Sequence, residues 1–337
     1  MMDAARHRWI PLSDRHRWTA ALDGIAHDVG HRWDYCHALA RSGAWPVALY
    51  VFEEGDVRIV CPFQERTFGG YHEIATPPGF SGFVGTAPHE RFPDRWAEHA
   101  ADRGFVCGYV GLHPVLGDPS YANPAAAAAQ NSVYLLDLDA GMDALFASLN
   151  RNRRRELRDW PAPASRLVDD RDRLTAFLVR EYPGFLESVD ASPSYARSAE
   201  TLEAVCALDD TLVLGTEHDG RIDSVYVVGY TRTIGTALFH VALPTARAGS
   251  AALVWQGVHL LRDRGVRYLN LGGGIREDDS IATAKQRFGS RRVPLRALRQ
   301  VYRPELYEEL CREAGVDPDD GGFFPAYRAG GRTVSAV

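Results

Sequence analysis

One pattern occurs twice in this chain and restricts its fold more than any other feature. Residues 46–67 place Val, Leu, Tyr, Phe and Ile on both sides of the turn Glu54-Gly55-Asp56, and so read as two paired strands. Residues 211–233 repeat that shape around Asp219-Gly220, a dipeptide suited to a tight hairpin. A helical segment precedes each hairpin, over residues 33–42 in the first case and 199–208 in the second. Such a chain is an internally duplicated α/β protein. Its 337 residues leave room for two domains of ordinary size.

The second half continues in a legible order. Residues 234–243 form a further strand, and residues 250–263 read as a helix with apolar positions at Leu253, Val254, Val258, Leu260 and Leu261. Gly265 supplies the left-handed residue that closes this helix. A short buried strand over 266–271 then ends in Gly272-Gly273-Gly274. Three strands, a helix, a strand and a Gly-rich loop make up the core order of GCN5-related (GNAT) acyltransferase domains. The first half has a weaker counterpart: a helix over 92–103, a strand over 105–110, a surface connection near 123–129 and a strand over 132–138. The expected fold class is therefore α/β, with two tandem GNAT-like domains, each a mixed, mostly antiparallel sheet flanked by helices. The boundary is placed near residue 145, giving domains 1–145 and 146–317, with a tail, 318–337, packing back on the first.

Apolar residues make up 45% of the chain and charged residues 24%, a balance typical of a soluble globular protein. No run of about 18 apolar residues occurs, and the Arg- and His-rich start lacks the apolar core of a signal peptide. The expectation is a cytoplasmic protein without stable membrane insertion. Five cysteines without CxxC spacing read as buried thiols rather than a disulfide framework. His27 and His31 stand four apart, but Gly30 weakens the helix that would align them and nothing completes a ligand set, so no metal is expected.

A net charge of −6 argues against a general nucleic-acid coat. Positive charge is nevertheless clumped, with arginines at 151, 153, 154, 155 and 158 and a second group from Lys285 to Arg299. Such clusters suit a phosphate contact or a solvated helix face equally well. Of 38 basic side chains only one, Lys285, is a lysine. Lysine brings a compact point charge with rotatable donors and a tunable pKa, where arginine brings a fixed, permanently charged fork.

The stretch from Leu253-Val254-Trp255 through Gly265 and Asn270-Leu271-Gly272-Gly273-Gly274, followed by Asp279-Ser280-Ile281-Ala282-Thr283-Ala284-Lys285-Gln286-Arg287-Phe288-Gly289, resembles the C-terminal signature of the Fem family (FemABX). The run Tyr71 to Gly85 suits that family's first domain. The resemblance implies tandem acyltransferase-like domains that move an amino acid from aminoacyl-tRNA to an amine of a peptidoglycan precursor or small natural product. It departs at Ala284, where the family usually has Phe, and the long coiled-coil arm of some members is missing. The alternative is an acyl-CoA-dependent N-acyltransferase. Arg247-Ala248-Gly249-Ser250-Ala251-Ala252 falls one residue short of the usual pyrophosphate-cradling motif, which disfavours CoA. A third reading is a degenerate acyltransferase that only binds a ligand.

What the resemblance implies for the site follows residue by residue. Lys285 matches the family's lysine and is expected to stabilise an oxyanion or hold the leaving adenosine and its phosphate, with a base role as the alternative. His240 faces the cleft and shuttles a proton, or is simply packed. Arg151, Arg153, Arg154, Arg247, Arg276 and Arg287 are candidate contacts for the donor tRNA's phosphates. Tyr71, His72 and Ser81 lie where an acceptor groove is implied. Asp279 caps the helix of Lys285 or takes a direct part in catalysis, and Gly272, Gly273 and Gly274 let a substrate approach the backbone or form a tight turn. No cofactor is expected; the donor is itself a substrate.

Overall fold

The computed structural model describes residues 5–41, 46–123, 126–158, 166–246, 250–319 and 322–329. It divides into two units: Met1–Gln130 with Leu295–Val337, and Asn131–Pro294. This division differs from the expected boundary near 145, because the strand before that boundary is hydrogen-bonded into the second unit's sheet and residues from 295 onward belong to the first. The strands in chain order are β1 (Arg6–Pro11), β2 (Val47–Glu54), β3 (Val57–Phe68), β4 (Tyr71–Ala75), β5 (Val84–Gly85), β6 (Cys107–Leu112), β7 (Ala127–Asp137), β8 (Leu167–Val168), β9 (Thr211–His218), β10 (Arg221–Tyr230), β11 (Ile234–Ala242), β12 (Tyr268–Gly273) and β13 (Arg291–Val301).

In the first unit the sheet order is β1-β2-β3-β4-β6-β13, with β5 beside β3. Every pair is antiparallel except β4 with β6, where Ile74 faces Gly108 and Ala75 faces Tyr109. A parallel pair needs a crossover, and the helix Phe92–Asp102 provides it. Trp96 and Phe92 on that helix are 1% and 0% exposed and pack among Tyr50, Phe52, Phe63 and Phe83. The described tail, 322–329, is anchored here: the Tyr327 hydroxyl donates to Glu73 Oε2 at 2.5 Å and Arg328 Nε lies 2.8 Å from Glu73 Oε1.

In the second unit the order is β7-β12-β11-β10-β9-β8. Again a single pair is parallel, β11 with β12, and the helix Ala251–Asp263 crosses between them. The β9–β10 turn uses Asp219 and Gly220 at φ 51° and 74°, the positive values that a tight hairpin demands. Leu253, Val254, Val258 and Leu261 bury one face of the crossover helix against Tyr226, Val228, Leu269 and Leu271. Residues 171–188 form a long helix, capped by Asp170, that buries Leu174, Phe177, Leu178 and Tyr182. All five cysteines are free and buried. Each unit is thus a GNAT-like mixed, mostly antiparallel sheet flanked by helices. Among the described residues no helix is long and apolar enough to cross a membrane.

Candidate active site

The parallel strands of the second unit pair only over Ile234–Thr236 and Tyr268–Asn270, although β11 runs on to Ala242 and β12 to Gly273. Pairing therefore ends well before the carboxyl end of β11, the place where parallel α/β sheets present ligands. A register shift between Asn270 and Gly273 bulges β12 at the same place, with Gly272 at φ 75°. Bulges of this kind re-aim side chains and ligand-facing backbone. Asn270 fixes the bend by accepting the Gly272 N–H on Oδ1 at 2.9 Å.

Lys285 stands on the short helix Ser280–Gln286 that follows. Its Nζ donates to Gly273 O at 2.6 Å, and a Cβ placed on Gly272 would lie 3.3 Å from that nitrogen. An ammonium has three donors, so two remain for a ligand after Gly273 is served. Burial lowers the Lys285 pKa to about 8, against the opposing pull of the Asp279 carboxylate. Among the described residues no carboxylate lies within ion-pairing distance of Nζ. The site therefore holds a cation that is charged at neutral pH yet close to giving up its proton.

Asp279 has its oxygens committed to backbone. Oδ1 accepts Ala282 N at 2.7 Å, and Oδ2 accepts Ile275 N at 2.7 Å and Arg276 N at 3.0 Å. Burial opposes its charge, but these bonds outweigh it and hold the carboxyl below its ordinary range. The residue thus caps the helix and folds the Gly274 loop in one step. At Gly274 a Cβ would come within contact of Asp279 Oδ1 and Arg276 O, so no side chain fits beneath that cap.

His240 lies on β11 beyond the last pairing with β12, opposite Tyr226 of β10. The two rings are 4.9 Å apart between centroids. Burial, then the charges of Lys285 and Arg153, push the His240 pKa down to about 4, so the imidazole is neutral at neutral pH. Its Nε2 and the Tyr226 hydroxyl are both buried without a hydrogen-bond partner among the described residues. Arg153 reaches this side of the sheet by lying over the Phe288 ring, 4.7 Å from its centroid, and bonding Glu156 at 2.6 Å.

The other arginines are dispersed. Arg151, Arg154 and Arg287 are exposed, and Arg276 pairs with Asp190 at 2.9 Å on open surface. Arg247 lies outside the described residues. In the first unit Tyr71 is 41% exposed at the amino end of β4, and His72 next to it lies 2.8 Å from Glu65. Ser81 follows the carboxyl end of that strand and is buried, its hydroxyl without a partner among the described residues. The strand separates Ser81 from the other two. Sequence reading singled out neither Tyr226 nor the bond from Gln286 Nε2 to the Tyr134 hydroxyl at 3.1 Å. A tyrosine within Val225-Tyr226-Val227-Val228 looks like core until its neighbour across the hairpin is known.

No protein-family model matches the sequence, and no curated protein matches it either. Solved structures do match in fold. FemX superposes with a TM-score of 0.66 over 90% of this chain and 99% of its own, at 10% identity. The fold is Fem-like. A conserved protein of unknown function from Bacteroides thetaiotaomicron gives a TM-score of 0.55 over 88% of this chain and 100% of its own, at 11% identity. The C-terminal (DUF2156) domain of a putative lysylphosphatidylglycerol synthetase from Agrobacterium fabrum gives 0.51 over 89% and 96%, at 18% identity. In this chain Lys285 stands on the helix that follows the parallel strand pair of the second unit.

Proposed function

We propose that this protein is an acyltransferase that forms an amide, with its chemistry at the parted ends of β11 and β12. The observation that carries the reading is Lys285 Nζ, held 2.6 Å from Gly273 O at the bulge with its pKa lowered to about 8. An acyl ester attacked by an amine passes through a tetrahedral oxyanion, and the expelled alkoxide must then gain a proton. A half-buried ammonium with two donors beyond the Gly273 bond serves both needs: it bonds the oxyanion and gives a proton to the leaving oxygen, and the neutral amine it becomes takes up the proton that the attacking amine sheds. His240, neutral and weakly basic, suits hydrogen bonding better than proton abstraction.

The donor we favour is aminoacyl-tRNA, on the strength of the Fem-like fold, the lysine signature and the exposed Arg151 and Arg154 beside the site helix. The acceptor is an amine of a peptidoglycan precursor or a small natural product. The test supplies the purified protein with charged tRNAs and candidate amines, with and without RNase, and in parallel with acyl-CoA. Amide formation that RNase abolishes supports the reading. Product from acyl-CoA that ignores RNase overturns the donor and leaves the acyltransferase. Full activity in Lys285→Ala removes the lysine from catalysis.

A further inference from the structure

A buried hydroxyl and a buried ring nitrogen without partners are costly, because each has lost water and gained nothing. Tyr226 Oη and His240 Nε2 form such a pair on neighbouring strands, on the sheet face shared by the crossover helix. Tyr226 is 1% exposed, and its ring rests on Gly257, where a Cβ would lie 3.2 Å from Tyr226 Cε1. No side chain on that helix therefore caps the hydroxyl from this position. The charged groups that act on His240 are Lys285 and Arg153, both cationic, and no carboxylate is among them. At this pair of atoms the surroundings offer hydrogen bonds to a ligand's side chain and no carboxylate to balance a cationic one.

We propose that Tyr226 and His240 form the polar end of the acyl pocket and select an acyl group whose side chain is uncharged and bears a hydroxyl or amide, of the seryl or asparaginyl kind, over those with apolar or cationic side chains. This rests on the acyl-transfer reading of the site. A pocket built to bond a ligand hydroxyl rejects the analogue that lacks it far more strongly than an apolar pocket rejects a missing methylene, since the analogue leaves buried groups unpaired. A lysyl group brings a third cationic side chain beside Lys285 and Arg153.

The experiment measures binding by calorimetry of non-reacting donor mimics to the full chain. One series is seryl, alanyl and lysyl amides of 3′-amino-3′-deoxyadenosine; the other is thioether analogues of 3-hydroxybutyryl-CoA and butyryl-CoA. The seryl amide should bind about tenfold or more tightly than the alanyl one, with the lysyl amide weakest. In Tyr226→Phe the seryl-to-alanyl ratio should fall toward one while Tm rises, because an unpaired buried hydroxyl has been removed. Should that variant fold poorly, the same ratio is read in His240→Asn. If only the CoA series binds, the tRNA donor fails, and the hydroxybutyryl-to-butyryl ratio decides the selectivity. Equal binding with and without the hydroxyl overturns the inference, as does binding in neither series. A ratio that Tyr226→Phe leaves unchanged, as expected if the pair only held a structural water, overturns it too.

Discussion

A lysine that burial pulls to a pKa of about 8 works against folding and for chemistry, and its pH dependence separates its two conceivable roles. As an ammonium donor it is active below that pKa, so kcat/KM should fall as pH rises through about 8; a base would give a rise over the same interval. A pH profile of kcat/KM, with the acceptor amine's own titration measured separately, distinguishes them. Stability runs the other way. The unfolded lysine keeps its proton to about 10.4, so between about 8 and 10.4 the unfolded state binds more protons and stability climbs with pH. At pH 7 both states are protonated and the full cost of burying the charge is present. Lys285→Met should therefore stabilise the protein at pH 7 by about 1 kcal/mol, after allowing for solvent screening and the lost Gly273 bond, with activity gone. Thermal melts at pH 7 and pH 10 check this, and the gain should shrink at the higher value. The lysine was legible in the sequence because nothing else in the chain shares its type. Tyr226 was not, since its meaning depends on standing opposite His240, a register that spacing alone does not give.

At the scale of elements, the helix Ser280–Gln286 is only two turns long and depends on its cap for direction. Asp279 serves the helix with one oxygen and the Gly274 loop with the other. Asparagine has only one acceptor oxygen, so Asp279→Asn can keep the helix cap or the loop bonds but not both. Asp279→Asn is expected to cost about 1 kcal/mol and Asp279→Ala about 1–2 kcal/mol, by urea unfolding. Activity should drop alongside stability in both, because Lys285 loses its position over Gly273, while the falling limb near pH 8 remains. Disappearance of that limb in Asp279→Asn would instead give the carboxylate a direct part in the chemistry. The Asp-to-helix spacing, the glycines and the two hairpins were all visible as local pattern. The parting of β11 from β12 and the bulge at Gly272 were not, because they depend on which strands pair.

For the whole molecule, the position of strands along the chain and their place in the sheets do not coincide. β7 follows β6 in sequence yet pairs with β12, and β13 follows the second unit's strands yet pairs with β6. Local patterns placed the cut near 145 because the helices resume there, and no local signal says which sheet an isolated strand will join. The consequence is testable by truncation. A fragment of residues 146–317 lacks β7, leaves β12 without its outer neighbour, and removes Tyr134, Leu136, Leu138 and Leu145 from the core that holds Trp255, Val258 and Leu269. Losing one buried leucine commonly costs about 2–5 kcal/mol, and a domain's whole stability is about 5–15 kcal/mol, so that fragment should not fold cooperatively. A fragment of residues 131–294 keeps the part of β7 that pairs with β12, Val133–Asp137, and the core cluster, and should show a single urea transition with dispersed amide resonances. Equal cooperativity and midpoint in the two fragments would mean that β7 contributes nothing to the second unit, and the division at 130/131 would then be wrong.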